Sequence, residues 1–257
     1  MPNHCTIRRR LCCRKVAEGL KILLSIKKNA LNLELRDCDL SEEGLQQTRE
    51  LREQVNELDV KIVLVSPMRR TLKTAYEVLC EHPKFEEIKF IVVPEIREVL
   101  GAFCGLIGEV SEVIPEFKAK IPQLDTTMIE DQDGNLRDLL REFTSKHSAF
   151  KDSDFTELSQ EDILGIVRQA IQDNYPSSIE TMEEIKQRVS ETKPIVKKYI
   201  DQLSSDASES NQASPKILLV SHHHYLVEYL GIERSDKGEV IPNCKLLSDP
   251  TDYSSIS

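Results

Sequence analysis

Two short apolar segments of this chain each end abruptly in polar residues that can hold an anion. Residues 63–65 (Val-Leu-Val) run into Ser66–Arg70, and residues 217–220 (Ile-Leu-Leu-Val) run into Ser221 and His222. In open α/β sheets, ligands bind beyond the carboxyl ends of the strands. The guanidinium fork of arginine matches the oxygens of a phosphate group. The pattern therefore predicts an anion site at one edge of a buried sheet, with phosphate as the expected ligand.

Apolar runs alternate with amphipathic segments along the chain, which is the pattern of an α/β protein. Ser41 is a predicted helix N-cap, and Ser66-Pro67 is predicted to end a strand and start a helix. We expect a three-layer sandwich, with a mostly parallel central sheet flanked by helices. The predicted strands are Lys21–Ile26, Lys61–Val65, Lys89–Val93, Lys216–Val220 and a short last strand, Cys244–Leu247.

The strand pattern weakens in the middle of the chain, which indicates an insertion in a single domain. Residues 1–20 are predicted to be a basic N-terminal extension, residues 21–250 the domain, and residues 251–257 a C-terminal tail. Within the domain, residues 104–178 are predicted to be an insertion and residues 204–215, rich in Ser, Asp and Asn, a flexible loop. Residues 180–203 are predicted to form an amphipathic helix that Pro194 kinks or divides.

Charge is distributed very unevenly along the 257 residues. Residues 1–28 hold eight basic side chains and one acidic one, so this segment is +7 and the rest of the chain is −17. An acidic body argues against general nucleic-acid binding, which needs a broad basic surface. Three interpretations of the basic N-terminus stay open: a mitochondrial leader, a docking arm for a protein partner, or a solvated helix.

Cysteine usage and hydrophobicity bear on the compartment. Seven scattered cysteines without a repeated C-x-x-C pair argue against a disulfide framework or a zinc site. No apolar stretch approaches the length of a membrane span. We expect a cytoplasmic protein without a membrane span, with the mitochondrion as the alternative because of the N-terminus.

The polar residues at the strand ends form the candidate site. Lys27, Arg70, Arg97 and His222 are the predicted phosphate-binding residues, and Glu98 is the nearby acid. No metal or cofactor is expected. The run His222–His224 is not a metal cluster, because adjacent side chains point in different directions and no carboxylate is placed to complete a site.

Four segments together carry a resemblance to a known family. Ser66–Ala75 resembles a Ser-Pro-Leu-x-Arg-Thr-x-Gln-Thr-Ala motif, and Asp39–Gln47 resembles Leu-Thr-Glu-x-Gly-x-Gln-Gln. Val220–His222 resembles a second-histidine motif, and Pro242–Cys244 resembles the segment before a last strand. On these residues the chain resembles the histidine phosphatase superfamily, the phosphoglycerate-mutase-like proteins, over about residues 21–105 and 180–247. The resemblance implies the three-layer fold of those proteins. The resemblance implies that Arg70 clamps a phosphate, that His222 stabilises the transferring phosphoryl group, and that Glu98 stands at the place of the proton donor.

The chain departs from that family at the nucleophile. The family carries Arg-His-Gly after its first strand, whereas this chain has Ile26, Lys27 and Lys28 there. Lysine, with an unperturbed pKa of about 10.4, is protonated and non-nucleophilic at neutral pH. We therefore expect that the covalent phosphohistidine mechanism is lost and that enzyme activity is in doubt.

Three functions follow from these patterns. The chain is expected to be a catalytically degenerate family member that serves as a structural or interaction subunit, docking a protein partner through its N-terminus or residues 104–178. A second hypothesis is a binder of a phosphorylated small molecule. The third is an active phosphomonoesterase with a replacement nucleophile such as His222 or His223.

Overall fold

The computed structural model describes residues 28–130, 144–150, 154–155, 157–175, 177–206, 215–232, 244–247 and 249. The predicted strand Lys21–Ile26, residue Lys27, the basic extension, the Pro242-Asn243 segment and the C-terminal tail lie outside the described residues.

Helices and strands alternate through most of the described chain. The elements in chain order are α1 (Glu42–Asn56), β1 (Val60–Val65), α2 (Arg69–Leu79), β2 (Lys89–Val92), α3 (Val110–Lys118), β3 (Leu124–Asp125), α4 (Thr127–Glu130), α5 (Gln160–Asn174), α6 (Met182–Asp206), β4 (Lys216–Val220) and α7 (His223–Tyr229). Single 3₁₀ turns form at Leu33–Leu35, Phe85–Glu87, Pro94–Ile96, Phe103–Gly105 and Ser148–Phe150.

The four described strands form one sheet in the order β3-β2-β1-β4, and every pairing is parallel. Val65, the last residue of β1, is level with Val92 of β2 and with Val220 of β4. The carboxyl ends of these strands therefore lie side by side, as the sequence pattern predicts.

Alternate residues of β1 enter two different cores, which makes the fold three-layered. Val63 and Val65 pack in a cluster with α2 and α3, whereas Ile62 and Leu64 pack with α6 and α7. Parallel strands covered by helices on both faces read as continuous apolar runs, which is why residues 60–65 and 216–220 were recognisable. The expected α/β sandwich with a parallel sheet is confirmed.

Helix starts follow from local capping chemistry. The Ser41 hydroxyl accepts a hydrogen bond from the Gly44 amide at 3.1 Å, which confirms the predicted N-cap of α1. Helix α2 begins at Arg69, with Met68 as its N-cap, so Ser66-Pro67 ends the strand without itself entering the helix.

The segment assigned to an insertion partly belongs to the layered fold. Helix α3 packs against α2, and β3 pairs with β2 at the edge of the sheet, so residues 110–125 extend the sandwich. Residues 144–179 contribute to a separate apolar cluster in which Phe103, Phe150, Ile163 and Val167 are buried. The sequence missed β3 because a strand of two residues has no periodicity to detect.

Two further local expectations were wrong. Helix α6 continues to Asp206, so residues 204–206 are helical rather than loop. Of the two effects expected of Pro194, division of the helix is excluded, because Pro194 lies inside the single helix α6. Residues 244–247 are not a strand, because Cys244 adopts a positive φ of 49° and forms a turn. Within the described part of the chain, no helix is both long and apolar enough to cross a membrane.

Candidate functional site

Ser66 and His222 meet where β1 and β4 end. The Ser66 amide donates to the Val220 carbonyl at 3.0 Å, which continues the β1–β4 pairing by one residue. The Ser66 hydroxyl lies 2.9 Å from Nε2 of His222, and both residues are buried. Two residues that are 156 positions apart in sequence are thus held together by the sheet.

Arg70 approaches the same histidine from the first turn of α2. One terminal nitrogen donates to the Cys104 carbonyl at 3.0 Å, and the other lies 3.1 Å from Nδ1 of His222. Because a guanidinium can only donate, Nδ1 is the acceptor and the ring proton sits on Nε2, which donates to Ser66. Burial, together with the charge of Arg70, lowers the pKa of His222 to about 3, so this histidine is neutral at physiological pH.

The carboxylate of Glu98 lies close to both Arg70 and His222. Its Oε2 lies 3.7 Å from a terminal nitrogen of Arg70 and 3.8 Å from Nδ1 of His222, and its Oε1 accepts from the Val99 amide at 2.8 Å. Burial favours the neutral acid, but His224, His222 and Arg70 outweigh it and lower the pKa of Glu98 to about 2. Since His222 is neutral near physiological pH, Arg70 supplies the permanent positive charge beside the ionised Glu98.

His224 is a site residue that the sequence pattern did not place in the candidate site. Its Nδ1 lies 3.7 Å from Oε1 of Glu98, and its side chain is 62% exposed. The rings of His223 and His224 pack edge to face, with their centroids 5.2 Å apart. A helical first turn brings residue 224 back toward the strand end, and residue spacing alone does not reveal this. We call Ser66, Arg70, Glu98, His222 and His224 the Arg70 pocket.

Arg97 lies beside the Arg70 pocket rather than in it. Its two terminal nitrogens contact the Glu180 carboxylate at 3.1 and 3.2 Å, and one lies 3.2 Å from Nε2 of His147. Arg188 binds the same carboxylate at 2.6 and 3.0 Å. Burial, then the charge of Arg188, lowers the pKa of Arg97 to about 10.

This buried network has a positioning role for the neighbouring acid. Arg97 donates to the main-chain carbonyl of Glu98 at 2.9 Å, and the Leu100 amide donates to Glu180 at 3.0 Å. The loop that carries Glu98 is therefore tied on both sides to Glu180, at the start of α6.

Asp37 fixes the start of α2 and was not found from the sequence. Its Oδ1 accepts from the Arg69 amide at 2.8 Å, where the first turn of the helix has an unpaired donor. Asp37 has a positive φ of 46°, and Gly108 lies so close that a Cβ there would stand 2.2 Å from Oδ2. Burial raises the pKa of Asp37. Arg69 itself points to an ion pair with Glu116, so the two adjacent arginines have different partners.

The remaining predicted residues are placed as follows. Lys28 is exposed and helical, and Lys27 lies outside the described residues. The Ser221 hydroxyl donates to the Ile96 carbonyl at 2.6 Å, which joins β4 to the turn before Glu98. The described residues hold no group of three or more His, Cys, Asp or Glu side chains arranged for a metal ion.

A family comparison decides what kind of domain this is. Residues 30–135 match the model of the histidine phosphatase superfamily (branch 1), which is less than half of the chain. Over these residues the chain is similar to the histidine phosphatase superfamily. The matched region contains the Asp39–Gln47 and Ser66–Ala75 motifs together with Glu98, whereas His222 lies beyond it. No curated protein matches this chain.

Proposed function

We propose that this histidine phosphatase family protein has lost phosphohistidine turnover and works by binding, as an interaction subunit whose Arg70 pocket holds a phosphorylated small molecule. The observation that carries the proposal is the Arg70–His222 contact of 3.1 Å beside Glu98, in a chain whose nucleophile position is Lys27. The pocket retains an anion-binding arginine, while the group that would attack phosphorus is replaced.

The other histidines give limited support to a substitute nucleophile. The chain has six, of which His82 bonds the Leu58 carbonyl and His147 lies in the Arg97 network. His222 is poorly suited to attack phosphorus, because neither ring nitrogen has a free lone pair. Nδ1 accepts a hydrogen bond from Arg70, and Nε2 is protonated and donates a hydrogen bond to Ser66. This argues against His222 as the replacement nucleophile.

Arg70 is suited to meet a ligand because it is not sealed in the interior. Its side chain is 20% exposed, and the Cys104 carbonyl holds one end of the guanidinium in place. A fixed guanidinium loses little side-chain entropy when a phosphate arrives, because its fork is already oriented.

Thermal stability in the presence of inorganic phosphate tests the binding function. A ligand that binds the native state at 100 times its Kd stabilises it by about 2.7 kcal/mol. We expect phosphate to raise the Tm of the wild type and to lose that effect in Arg70→Gln. Arg69→Gln is the matched control, since Arg69 pairs with Glu116. A phosphate shift that survives in Arg70→Gln contradicts the proposal.

Release of phosphate from a panel of phosphomonoesters tests the loss of turnover. We expect no release by the wild type. Appearance of activity in Lys27→His would mean that the rest of the catalytic geometry persists. Phosphate release by the wild type that is lost when one of its histidines is substituted would overturn the degenerate-enzyme proposal.

An active phosphomonoesterase is the second candidate, and the placement of His224 is the observation that favours it. This side chain is exposed, and Glu98 stands 3.7 Å from its Nδ1, which leaves Nε2 as the nitrogen available for attack. In that reaction Nε2 would form a bond to phosphorus, the P–O ester bond would break, and water would later hydrolyse the P–N bond. Turnover abolished by His224→Gln would support this candidate.

The partner and the compartment stay predictions. The protein partner is proposed to dock on the basic residues 1–20 or on residues 104–178. Loss of binding to an identified partner on deletion of residues 1–20 would support the docking arm. Location in the cytoplasm, with the mitochondrion as the alternative, is checked by imaging the tagged full chain.

A further inference from the structure

The carboxylate of Glu98 places a negative charge inside the Arg70 pocket itself. Among the described residues, Glu98 faces Arg70 on α2 and both His222 and His224 at the β4–α7 end, while Arg97 binds its main-chain carbonyl. Arg70 carries one positive charge and His222 is neutral, so the carboxylate of Glu98 offsets the guanidinium. A second anion that enters this pocket meets a carboxylate as well as an arginine.

The two oxygens of Glu98 have different surroundings. Oε1 accepts from the Val99 amide at 2.8 Å, whereas Oε2 stands 3.7 and 3.8 Å from Arg70 and His222, beyond hydrogen-bond distance. An ionised carboxylate can only accept hydrogen bonds. An oxyanion placed between Arg70 and Oε2 is therefore favoured if it can donate a proton to Oε2, and repelled if it cannot.

Building on the proposed function, we propose that the Arg70 pocket selects oxyanions that still carry a proton, with phosphomonoester monoanions as the ligand class, and that Glu98 is the residue that recognises this proton. One ligand oxygen takes donors from Arg70, and the protonated oxygen donates to Oε2 of Glu98. Sulfate esters and sulfonates, which have no such proton at physiological pH, are excluded.

The ionisation state of Glu98 supports this assignment. Its pKa of about 2 means that the carboxylate does not itself take up a proton between pH 5 and 9, so the proton has to arrive on the ligand. A phosphomonoester has a second pKa of about 6 and is a mixture of monoanion and dianion near neutrality. Binding of the monoanion alone weakens the apparent affinity by about tenfold for each pH unit above that pKa.

A matched ligand pair, phenylphosphonate and benzenesulfonate, tests the proposal by calorimetric titration of the full chain from pH 5 to 9. At pH 5 both ligands carry one negative charge, and only the phosphonate has a proton to donate. We expect phenylphosphonate to bind at least tenfold more tightly at pH 5 and to lose that advantage as its second proton dissociates. At a single pH both ligands meet the same protein charges. A difference between their affinities at that pH therefore reports the proton on the ligand.

Substitution of the acid separates this proposal from the binding function itself. Glu98→Gln should raise the affinity for benzenesulfonate at least tenfold and flatten the pH dependence of phenylphosphonate binding. Glu112→Gln removes an exposed carboxylate of α3 and should leave both affinities unchanged.

The possible failures are distinguishable. Equal affinity for the two ligands at pH 5 overturns the proton selection and leaves phosphate binding standing, and this comparison needs only the wild type. An unchanged pH dependence in a folded Glu98→Gln variant also overturns it. If the wild type binds neither ligand at any pH, both the proposed function and the proton selection fail.

Discussion

The Nδ1 atom of His222 lies 3.1 Å from a terminal nitrogen of Arg70, and this contact fixes the tautomer of the imidazole. A guanidinium has no lone pair to offer, so the proton of the neutral ring must sit on Nε2, opposite the Ser66 hydroxyl at 2.9 Å. The serine, histidine and glutamate resemble a hydrolase triad in their proximity alone. The histidine donates to the serine and so cannot act as its general base.

Long-range ¹H–¹⁵N spectra of the imidazole rings check this arrangement. We expect His222 to be the Nε2–H tautomer and not to titrate between pH 5 and 8, because its pKa is lowered to about 3. In Arg70→Gln the neighbouring charge is removed and the pKa should rise toward its usual range, whereas Arg69→Gln should leave the signal unchanged. An Nδ1–H tautomer in the wild type would refute the assignment.

Two glycine substitutions should have opposite effects on stability. At Gly108, an added Cβ would stand 2.2 Å from Oδ2 of the buried Asp37, so Gly108→Ala is expected to cost about 1–3 kcal/mol. Gly165 lies within α5 with nothing within 4 Å of an added Cβ, and Gly165→Ala should stabilise by about 0.4–1 kcal/mol. Urea unfolding of the two variants gives both values, and a neutral Gly108→Ala would mean that Asp37 can move aside.

The buried carboxylate of Glu180, just before α6, should contribute much more to stability than an exposed carboxylate on α6. Glu180 binds both Arg97 and Arg188, and its removal leaves two buried guanidinium groups without a counter-charge. Glu180→Gln is therefore expected to destabilise by about 3–5 kcal/mol. Glu183→Gln, at an exposed position of α6, should change the unfolding free energy by less than about 0.5 kcal/mol. Similar values for the two would show that the network carries little energy.

Acid should destabilise the fold in two stages. His147 and His222 have pKa values lowered to about 4 and about 3, chiefly by burial, so the unfolded chain binds more protons and stability falls as pH drops below about 6.5. Glu98 and Glu180, with pKa values lowered to about 2, contribute stability that is present above about 4.5 and lost as pH falls through 2.

The His147 stage is checked with His147→Gln, which keeps an acceptor for Arg97 and cannot be protonated. Denaturant unfolding between pH 4 and 6.5 should show a slope smaller than that of the wild type by up to about 1.4 kcal/mol per pH unit. Parallel profiles for the two proteins would contradict the buried, neutral state of His147.

The sheet and the Arg70–His222 pairing could be predicted because they depend on strong local patterns. Continuous apolar runs marked β1 and β4, and parallel strands bring their carboxyl ends to one edge, which placed Arg70, Glu98 and His222 together. Arg97 was expected in the same set, but its guanidinium lies in the buried network with Glu180. Its partners Glu180 and Arg188 lie more than 80 positions away in sequence. The residues around Arg97 therefore gave no sign of a buried ion network.

Other features escaped because their cause is tertiary. Asp37 caps α2 from 32 residues upstream, and it has a positive φ. His224 approaches Glu98 because it lies in the first turn of a helix of seven residues. Strand β3 is too short for periodicity to mark it. The role of Lys27 stays a prediction, since that residue lies outside the described part of the chain.

The start of helix α2 is held by the Asp37 carboxylate, and the guanidinium of Arg70 is held by a main-chain carbonyl of residue 104. Neither contact involves the position at which the family keeps its nucleophile, and a main-chain carbonyl is present whatever the side chain. We therefore expect both contacts to hold Arg70 in place whichever side chain occupies that position. Selection on the chemistry of that position and selection on the charge of the Arg70 pocket can then act independently of each other.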